Sequence, residues 1–354
     1  MKKTLTLILS LIMILSMVTG CQKVAQASSS AAPSSAGAPA AEGEKKTEGD
    51  QKTTEISIPT SNLTGTWYIW GSALSKVIND YVDGYTASPQ VTDGPLADIQ
   101  MIEDDEAILT LGNSAVCYEA WNGEGIASPD GTKYQKQRAL FMAYPSYFHN
   151  ITTTKTGVKN IADLEGRVVA CAPAGSGPNY SIEYSMKALN ITPKEKIYGG
   201  VDAAYELLKD NNIANVVLAM GIPVGTVTDF ALNYDMAFVE YTDEQLKTVC
   251  DTYPFLTPAV IPAGTYNGQD HDVNTVSFGN MIIAHQDMDA DLAYEITKAC
   301  FEHQDYFINA HSTGNDMTEE AFVNCSVPLH PGAIRYFEEK GYEIPEKLIP
   351  PEMK

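Results

Sequence analysis

Basic residues are scarce in this sequence. Its 23 Lys and Arg stand against 45 Asp and Glu, for a formal net charge of −22. Nucleic-acid recognition needs a basic face, so that class is excluded. The six cysteines contain no C-x-x-C pair and the six histidines no H-E-x-x-H, which removes a redox dithiol and the common zinc spacings. With Cys21 set aside for a reason given below, Cys117, Cys171, Cys250, Cys300 and Cys325 remain. The number is odd, and most of them sit in apolar runs such as Val169-Ala170-Cys171-Ala172. They read as small buried hydrophobes rather than a disulfide framework, with one disulfide possible. Asp287-Met288-Asp289-Ala290-Asp291 alternates acids as a calcium loop does but lacks its Gly and later ligands, so it reads as an acidic helix start. No Ser–His–Asp set, Cys–His set or glycosidase carboxylate pair is recognisable from spacing. Nothing supports an enzyme, and no catalytic residue, metal or cofactor is implied.

What is present begins with an N-terminal address. Lys2 and Lys3 precede an apolar run, Leu5 to Val18, that is shorter than the roughly 20 residues a spanning helix needs. It ends in Val18-Thr19-Gly20-Cys21. A charged start, a short apolar core and small residues before a cut site describe a secretory signal, here with a lipobox whose Cys21 takes the lipid. From Gln22 to Thr54 the chain is Ala, Ser, Gly, Pro, Glu, Lys and Thr, with Val24 the one large apolar residue. Such a segment cannot bury enough surface to offset its ordering entropy. A flexible tether of this length spans roughly 30 Å. The expected location is extracytoplasmic, on a membrane anchor, at a Gram-positive surface rather than in a periplasm.

Beyond the tether, strand and helix patterns alternate. Glu55 to Ile58, Ala107 to Leu111, Arg138 to Tyr144, Arg167 to Ala172, Val216 to Met220 and Thr275 to Ala284 read as strands. Trp67 to Tyr81, Ala115 to Trp121, Asn179 to Leu189, Ala203 to Lys209 and Asp291 to Ile308 read as helices by their apolar spacing. The alternation predicts α/β layers with largely parallel sheets. Tyr253 to Thr265 carries three Pro and one Gly, and reads as a segment crossing between domains.

Three loops lead into helices and cluster hydroxyl, amide and Gly residues. They are Thr60 to Tyr68, Leu111-Gly112-Asn113-Ser114, and Pro173-Ala174-Gly175-Ser176-Gly177-Pro178-Asn179. The third lacks the Lys-Ser/Thr of a phosphate loop. A helix start offers unpaired N–H groups and the positive end of the macrodipole, which suits a carboxylate. Three such loops at matching strand-to-helix positions predict a cleft of several helix starts. Trp67, Tyr68 and Tyr144 are its candidate aromatic walls.

These and later residues resemble one family, the TAXI-type solute receptors of tripartite ATP-independent periplasmic (TRAP) transporters. The specific stretches are Asp163-Leu164-Glu165-Gly166 with Gly175-Ser176-Gly177, Tyr253-Pro254-Phe255, Ile261 to Asp270, Tyr294 to Lys298, and Val327 to Ala333. The resemblance implies a type II periplasmic-binding-protein-like fold, two α/β lobes with a ligand cleft between them. It also implies a monomer delivering a small carboxylate or amino acid, 2-oxoglutarate- or glutamate-like, to TRAP membrane subunits driven by an ion gradient. The implied organisation is 1–20 signal peptide, 21–54 lipidated Cys and linker, 55–148 plus 256–354 first lobe, and 149–255 second lobe. The implied ligand-binding residues are Thr64, Gly65, Thr66, Trp67, Tyr68, Asn113, Ser114, Tyr144, Ser176, Gly177, Pro178, Asn179, Gly221 and Pro223. Ser61 and Thr64 replace Gly residues usual in the first loop, Ala115 an Asp, and Pro178 a hydroxyl residue. Without that Asp an ammonium group loses its anionic contact, so a ligand lacking an amine is expected. A receptor signalling to a membrane kinase, or an enzyme on the same fold, is the alternative.

Overall fold

The computed structural model describes residues 53–354 except Asn62 and Thr64. The expected signal peptide, lipidated Cys21, tether and the candidate Thr64 lie outside the described residues.

The chain opens with β1 (Thr54–Pro59), α1 (Thr66–Tyr81), β2 (Tyr85–Gln90), α2 (Pro95–Glu103), β3 (Leu109–Asn113) and α3 (Ser114–Asn122). Ile56 and Ile58 alternate into the core from β1, and α1 buries Trp70, Leu74, Val77 and Ile78 at helical spacing. Next come the long β4 (Gln137–Thr153), β5 (Val168–Ala170), α4 (Gly177–Ala188), β6 (Glu195–Ile197), α5 (Val201–Lys209), β7 (Val216–Met220), α6 (Gly225–Asn233), β8 (Met236–Phe238) and α7 (Asp243–Thr252). The last part holds β9 (Thr257–Ile261), the long β10 (Val273–His285), α8 (Ala290–Glu302), α9 (Asp305–Ala310) and α10 (Pro331–Glu339).

Strands β4 and β10 organise the molecule. They pair with each other from Gln137 to Tyr147 and Ser277 to His285. At their outer ends they take different neighbours: β10 pairs β3 through Asn280–Ala284 and β9 through Val273–Ser277, while β4 pairs β7 and then β8 through Tyr147–Thr153. Both strands therefore run from one lobe into the other, which is the two-lobed type II periplasmic-binding-protein-like arrangement. A register shift between Asn280 and Met281 leaves Ala143 unopposed at the crossing, and such a bulge bends the strand.

One expectation changes. The sheets are not largely parallel: among the described strands every pair in the six-stranded sheet is antiparallel, and the parallel pairs are β1–β2 and β5–β6. Side chains join the parallel pairs to the main sheet. Thr110 Oγ1 donates to the Pro59 carbonyl at 2.9 Å, and Asn215 Oδ1 accepts from the Ala170 N–H at 3.0 Å. Strand β9 forms at the sheet edge, where Pro258 needs no ladder donor. Ile261, Tyr266 and Val273 are buried in one cluster with Ile151, Leu208, Val216 and Phe230. Their apolar surface is buried in that cluster, and β10 runs on from Val273 to His285.

The smaller readings fare better. All five described cysteines are free, and Cys117, Cys171, Cys300 and Cys325 are buried. Asp289 caps α8, accepting from the N–H groups of Asp291 and Leu292 at 2.9 and 3.0 Å.

Candidate functional site

The cleft is floored by the crossing strands. Successive strand residues face opposite ways, so Tyr144 and Ser146 of β4 share one face with Phe278 and Asn280 of β10, paired Asn280 to Tyr144 and Phe278 to Ser146. Asn280 is almost fully buried, and all of its amide's polar atoms are used. Its Nδ2 donates to the Tyr144 carbonyl at 3.1 Å and to Ser146 Oγ at 2.9 Å, while its Oδ1 accepts from Trp67 Nε1 at 2.9 Å. One side chain thus holds the first helix of one lobe against both crossing strands. Burial pushes the Tyr144 phenol far above its ordinary pKa, so it stays a neutral hydroxyl.

Over this floor two helix starts meet. Helix α1 begins after Gly65 without a side-chain cap, and among the described residues the Thr66 and Trp67 N–H groups of its first turn have no partner. Helix α4 also begins without one, because the Ser176 hydroxyl donates to the Pro173 carbonyl at 2.6 Å instead. The start of α3 differs: Asn113 Oδ1 accepts from the N–H groups of Ala115 and Val116 at 2.9 and 3.3 Å. The three expected open helix starts are therefore two, with Asn113 contributing its Nδ2, which no hydrogen bond among the described residues uses.

The space between them, open to solvent on one side, is about 270 Å³. Of the candidate residues it gathers Gly65, Thr66, Trp67, Asn113, Tyr144, Gly177, Pro178 and Gly221. Tyr68 and Pro223 lie beside the lining and not in it. Ser176 braces its own turn. Asn179 does the same, accepting from the Gly175 N–H at 3.1 Å and donating to the Cys171 carbonyl at 2.8 Å. Ser114 sits on the opposite face of the crossing strands, where its Oγ donates to the Phe255 carbonyl at 3.2 Å and accepts from the Gly279 N–H at 3.0 Å. Sequence reasoning missed Ser61 as a wall, and Pro95, Ser146, Ala219, Met220, Phe278 and Asn280 altogether. Ser146 was within reach, two positions beyond Tyr144 on the same strand face. Phe278 and Asn280 carry no local signal, since only the register of β10 against β4 brings them in. Among the described residues, no charged side chain lines the cleft.

The two lobes touch around this space. A Cβ at Gly177 would lie 2.5 Å from Phe278 Cζ, and one at Gly221 would lie 2.2 Å from Thr313 Cγ2. Glycine permits these approaches. Beside the cleft, the buried carboxylate of Glu119 on α3 accepts from the N–H groups of Ile126 and Ala127 at 2.8 and 3.0 Å, and from the Tyr184 hydroxyl of α4. A larger hollow, about 590 Å³, lies along α4 with a mainly apolar wall that includes Asn179 and Tyr184. It contains one candidate residue and none of the open helix starts, so the smaller cavity is the better candidate despite its size.

The profile of the NMT1-like family matches residues 58–341. The chain belongs to the NMT1-like family. Solved structures align along most of its length at low identity. MatC of Rhodopseudomonas palustris, with bound malate, is 11% identical with a TM-score of 0.47, the alignment covering 82% of this chain and 96% of that one. XAC2383 of Xanthomonas citri, bound to ATP, is 8% identical with a TM-score of 0.48, over 81% and 99%. An arginine 3rd transport system periplasmic binding protein of Legionella pneumophila is 12% identical with a TM-score of 0.43, over 73% and 99%. Likeness at this level says nothing about what this NMT1-like chain binds. Among the described residues no helix is long and apolar enough to cross a membrane.

Proposed function

We propose that this NMT1-like protein is a solute-binding receptor, the TAXI-type receptor of a TRAP transporter. It captures a small carboxylate between its lobes and delivers it to ion-gradient-driven membrane subunits. The proposal includes anchoring by a lipidated Cys21 outside the cytoplasm, and no catalytic step. The first lobe comprises residues 55–148 with the chain from about 277 onward, and the second comprises the residues between.

One observation carries the reading: helix starts α1 and α4, one from each lobe, open without side-chain caps onto a cavity with no charged lining residue. Backbone donors at a helix start favour an anion without a buried Arg. Each hydrogen bond to a charged group contributes about 1.5–3 kcal/mol, and a few of them, less ordering costs, fit micromolar binding at about −8 kcal/mol. The absence of a carboxylate from the lining disfavours a ligand held by its ammonium, so 2-oxoglutarate suits the site better than glutamate. A volume of about 270 Å³ suits a molecule of that size. Binding would shift the lobe equilibrium toward closed.

Native mass spectrometry of the purified protein weighs what travels with it, and calorimetry with 2-oxoglutarate, glutamate and other small carboxylates ranks affinity. A retained carboxylate of low mass is the expected result. A protein that carries no ligand and gives no heat with any of them refutes the reading.

A further inference from the structure

Three side chains on the cleft floor hold hydrogen-bond donors that the described residues do not use. Ser146, Asn113 and Tyr144 are 6%, 3% and 2% exposed, and all three line the cavity. Among the described residues no hydrogen bond engages the Tyr144 hydroxyl or Asn113 Nδ2. Neither atom is sealed in the core, so each opens on the cavity that its residue lines.

The orientation of two of these donors is fixed by groups already satisfied. Asn113 Oδ1 caps α3, accepting from the N–H groups of Ala115 and Val116, so its Nδ2 faces the cavity as a donor and cannot accept. Asn280 acts on Ser146 in the same way. Trp67 Nε1 only donates, and it donates to Asn280 Oδ1 at 2.9 Å, which excludes the flipped amide. Asn280 Nδ2 must therefore donate, and one of its protons goes to Ser146 Oγ at 2.9 Å. The Ser146 oxygen is thereby an acceptor towards Asn280. No acceptor among the described residues takes the Ser146 proton, so it is left for a ligand.

A desolvated carboxylate needs a counter-charge or an open helix start. The floor has neither, since Asn113 itself closes the start of α3 and Phe278 lies beside Asn280. A carbonyl oxygen has two lone pairs to offer and carries no charge. We propose that Ser146 is a ligand-contacting residue which donates, together with Tyr144 and Asn113, to an uncharged carbonyl oxygen of the solute, and that Asn280 is its positioning residue. This rests on the reading of the cleft as a carboxylate site: the helix starts take the carboxylate, and the floor reads the carbonyl next to it. An oxo acid is then selected over the same chain with a methylene at that carbon, because the methylene leaves buried donors unpaired.

The test is calorimetry of the full chain with 2-oxoglutarate and glutarate, dianions that differ by the one oxo group. The wild type should bind 2-oxoglutarate at least about tenfold more tightly. Ser146→Ala should weaken 2-oxoglutarate about five- to tenfold and glutarate far less, so that the ratio between them collapses. In Asn280→Asp an oxygen replaces Nδ2 and takes the Ser146 proton, which should erase the same preference. The added charge weakens both dianions alike, so the ratio still reports on Ser146; should that variant fail to fold, Ser146→Ala carries the test. Equal affinity of the wild type for the two ligands, or an unchanged ratio in Ser146→Ala, overturns the proposal. So does an equal loss for both ligands in Ser146→Ala, since the floor would then hold a carboxylate. A ratio kept in folded Asn280→Asp overturns the positioning role. No heat with either ligand removes the carboxylate reading of the cleft itself, and this assignment with it.

Discussion

Gly221→Ala separates closure from folding. The added methyl would sit 2.2 Å from Thr313 Cγ2, inside any tolerable contact, so one partner must move. Thr313 is not free to do so. It is buried, and its Oγ1 accepts from Trp70 Nε1 at 2.8 Å and bonds His311 Nδ1 at 2.9 Å. Rotating the threonine would leave the buried Trp70 N–H without its acceptor. On the proposed lobe division Gly221 follows β7 in the second lobe and Thr313 packs on the first, so the clash would exist only when the lobes are together. Overpacking of this kind costs about 1–3 kcal/mol. Confined to the closed form, that penalty weakens ligand binding about 5- to 150-fold. The ligand-free protein should unfold at nearly the wild-type temperature, because an open form relieves the clash.

Calorimetry with the retained carboxylate and thermal unfolding of the ligand-free variant read the two quantities. Thr313→Ser supplies the control. It removes Cγ2 and keeps the hydroxyl for Trp70, so Gly221→Ala with Thr313→Ser should recover most of the affinity, as contacting pairs are non-additive. Wild-type affinity in Gly221→Ala would refute closure across this contact. So would a loss of ligand-free stability equal to the loss of binding energy, since the contact would then belong to a core that never opens.

Three further predictions test other parts of the site. Ser176→Ala should bind as wild type while Asn113→Ala binds weakly in the same calorimetry, because Ser176 bonds its own turn and Asn113 both caps α3 and faces the cavity; a cap alone is worth about 1 kcal/mol. Tyr184→Phe removes the α4 hydroxyl from Glu119 and should lower affinity several-fold with the cleft lining intact; scattering of the ligand-free variant should show a larger radius of gyration. Asp98 is fully buried, with no hydrogen-bond partner for either oxygen among the described residues. Burial raises its pKa to about 7. The folded state therefore favours its protonated form, so its stability contribution is full below about pH 4 and declines as pH rises toward 7, by roughly 3–5 kcal/mol in all. Asp98→Asn should flatten that decline and raise the melting temperature at pH 8, and an unchanged pH profile would count against it.

Some of this architecture was legible because its signals are local. Asn122-Gly123 ends α3 with Gly123 in the left-handed region, and Asp289 caps α8 from an acidic run. The apolar cysteines are buried, as composition suggested. What was not legible depends on pairing between distant residues. Strand β4 continues through Pro145 because the partner there is Gly279, more than a hundred positions away, and no pattern near Pro145 announces that. The site residues show a second limit. Ser176, Asn179 and Ser114 have the side chains expected of ligand donors, yet each satisfies backbone groups of its own turn or of the crossing strand. Tight loops leave N–H and C=O groups unpaired, and nearby hydroxyls and amides reach those first. Residue type alone cannot distinguish the two uses; the geometry of the turn decides.

The same accounting explains why a cleft without charged walls can be selective. A buried Arg would attract any anion to an open lobe. Unpaired N–H groups at helix starts act over short distances, and here one set belongs to each lobe, over a floor fixed by Asn280. Neither lobe alone presents the whole donor array, so on the proposed reading most of the binding energy is realised only when the gap has shut. The close approaches at Gly177 and Gly221 then become part of recognition, since they set how near the two helix starts can come. Any side chain at either position would hold the donors apart and leave a ligand bonded on one side, at a fraction of the affinity.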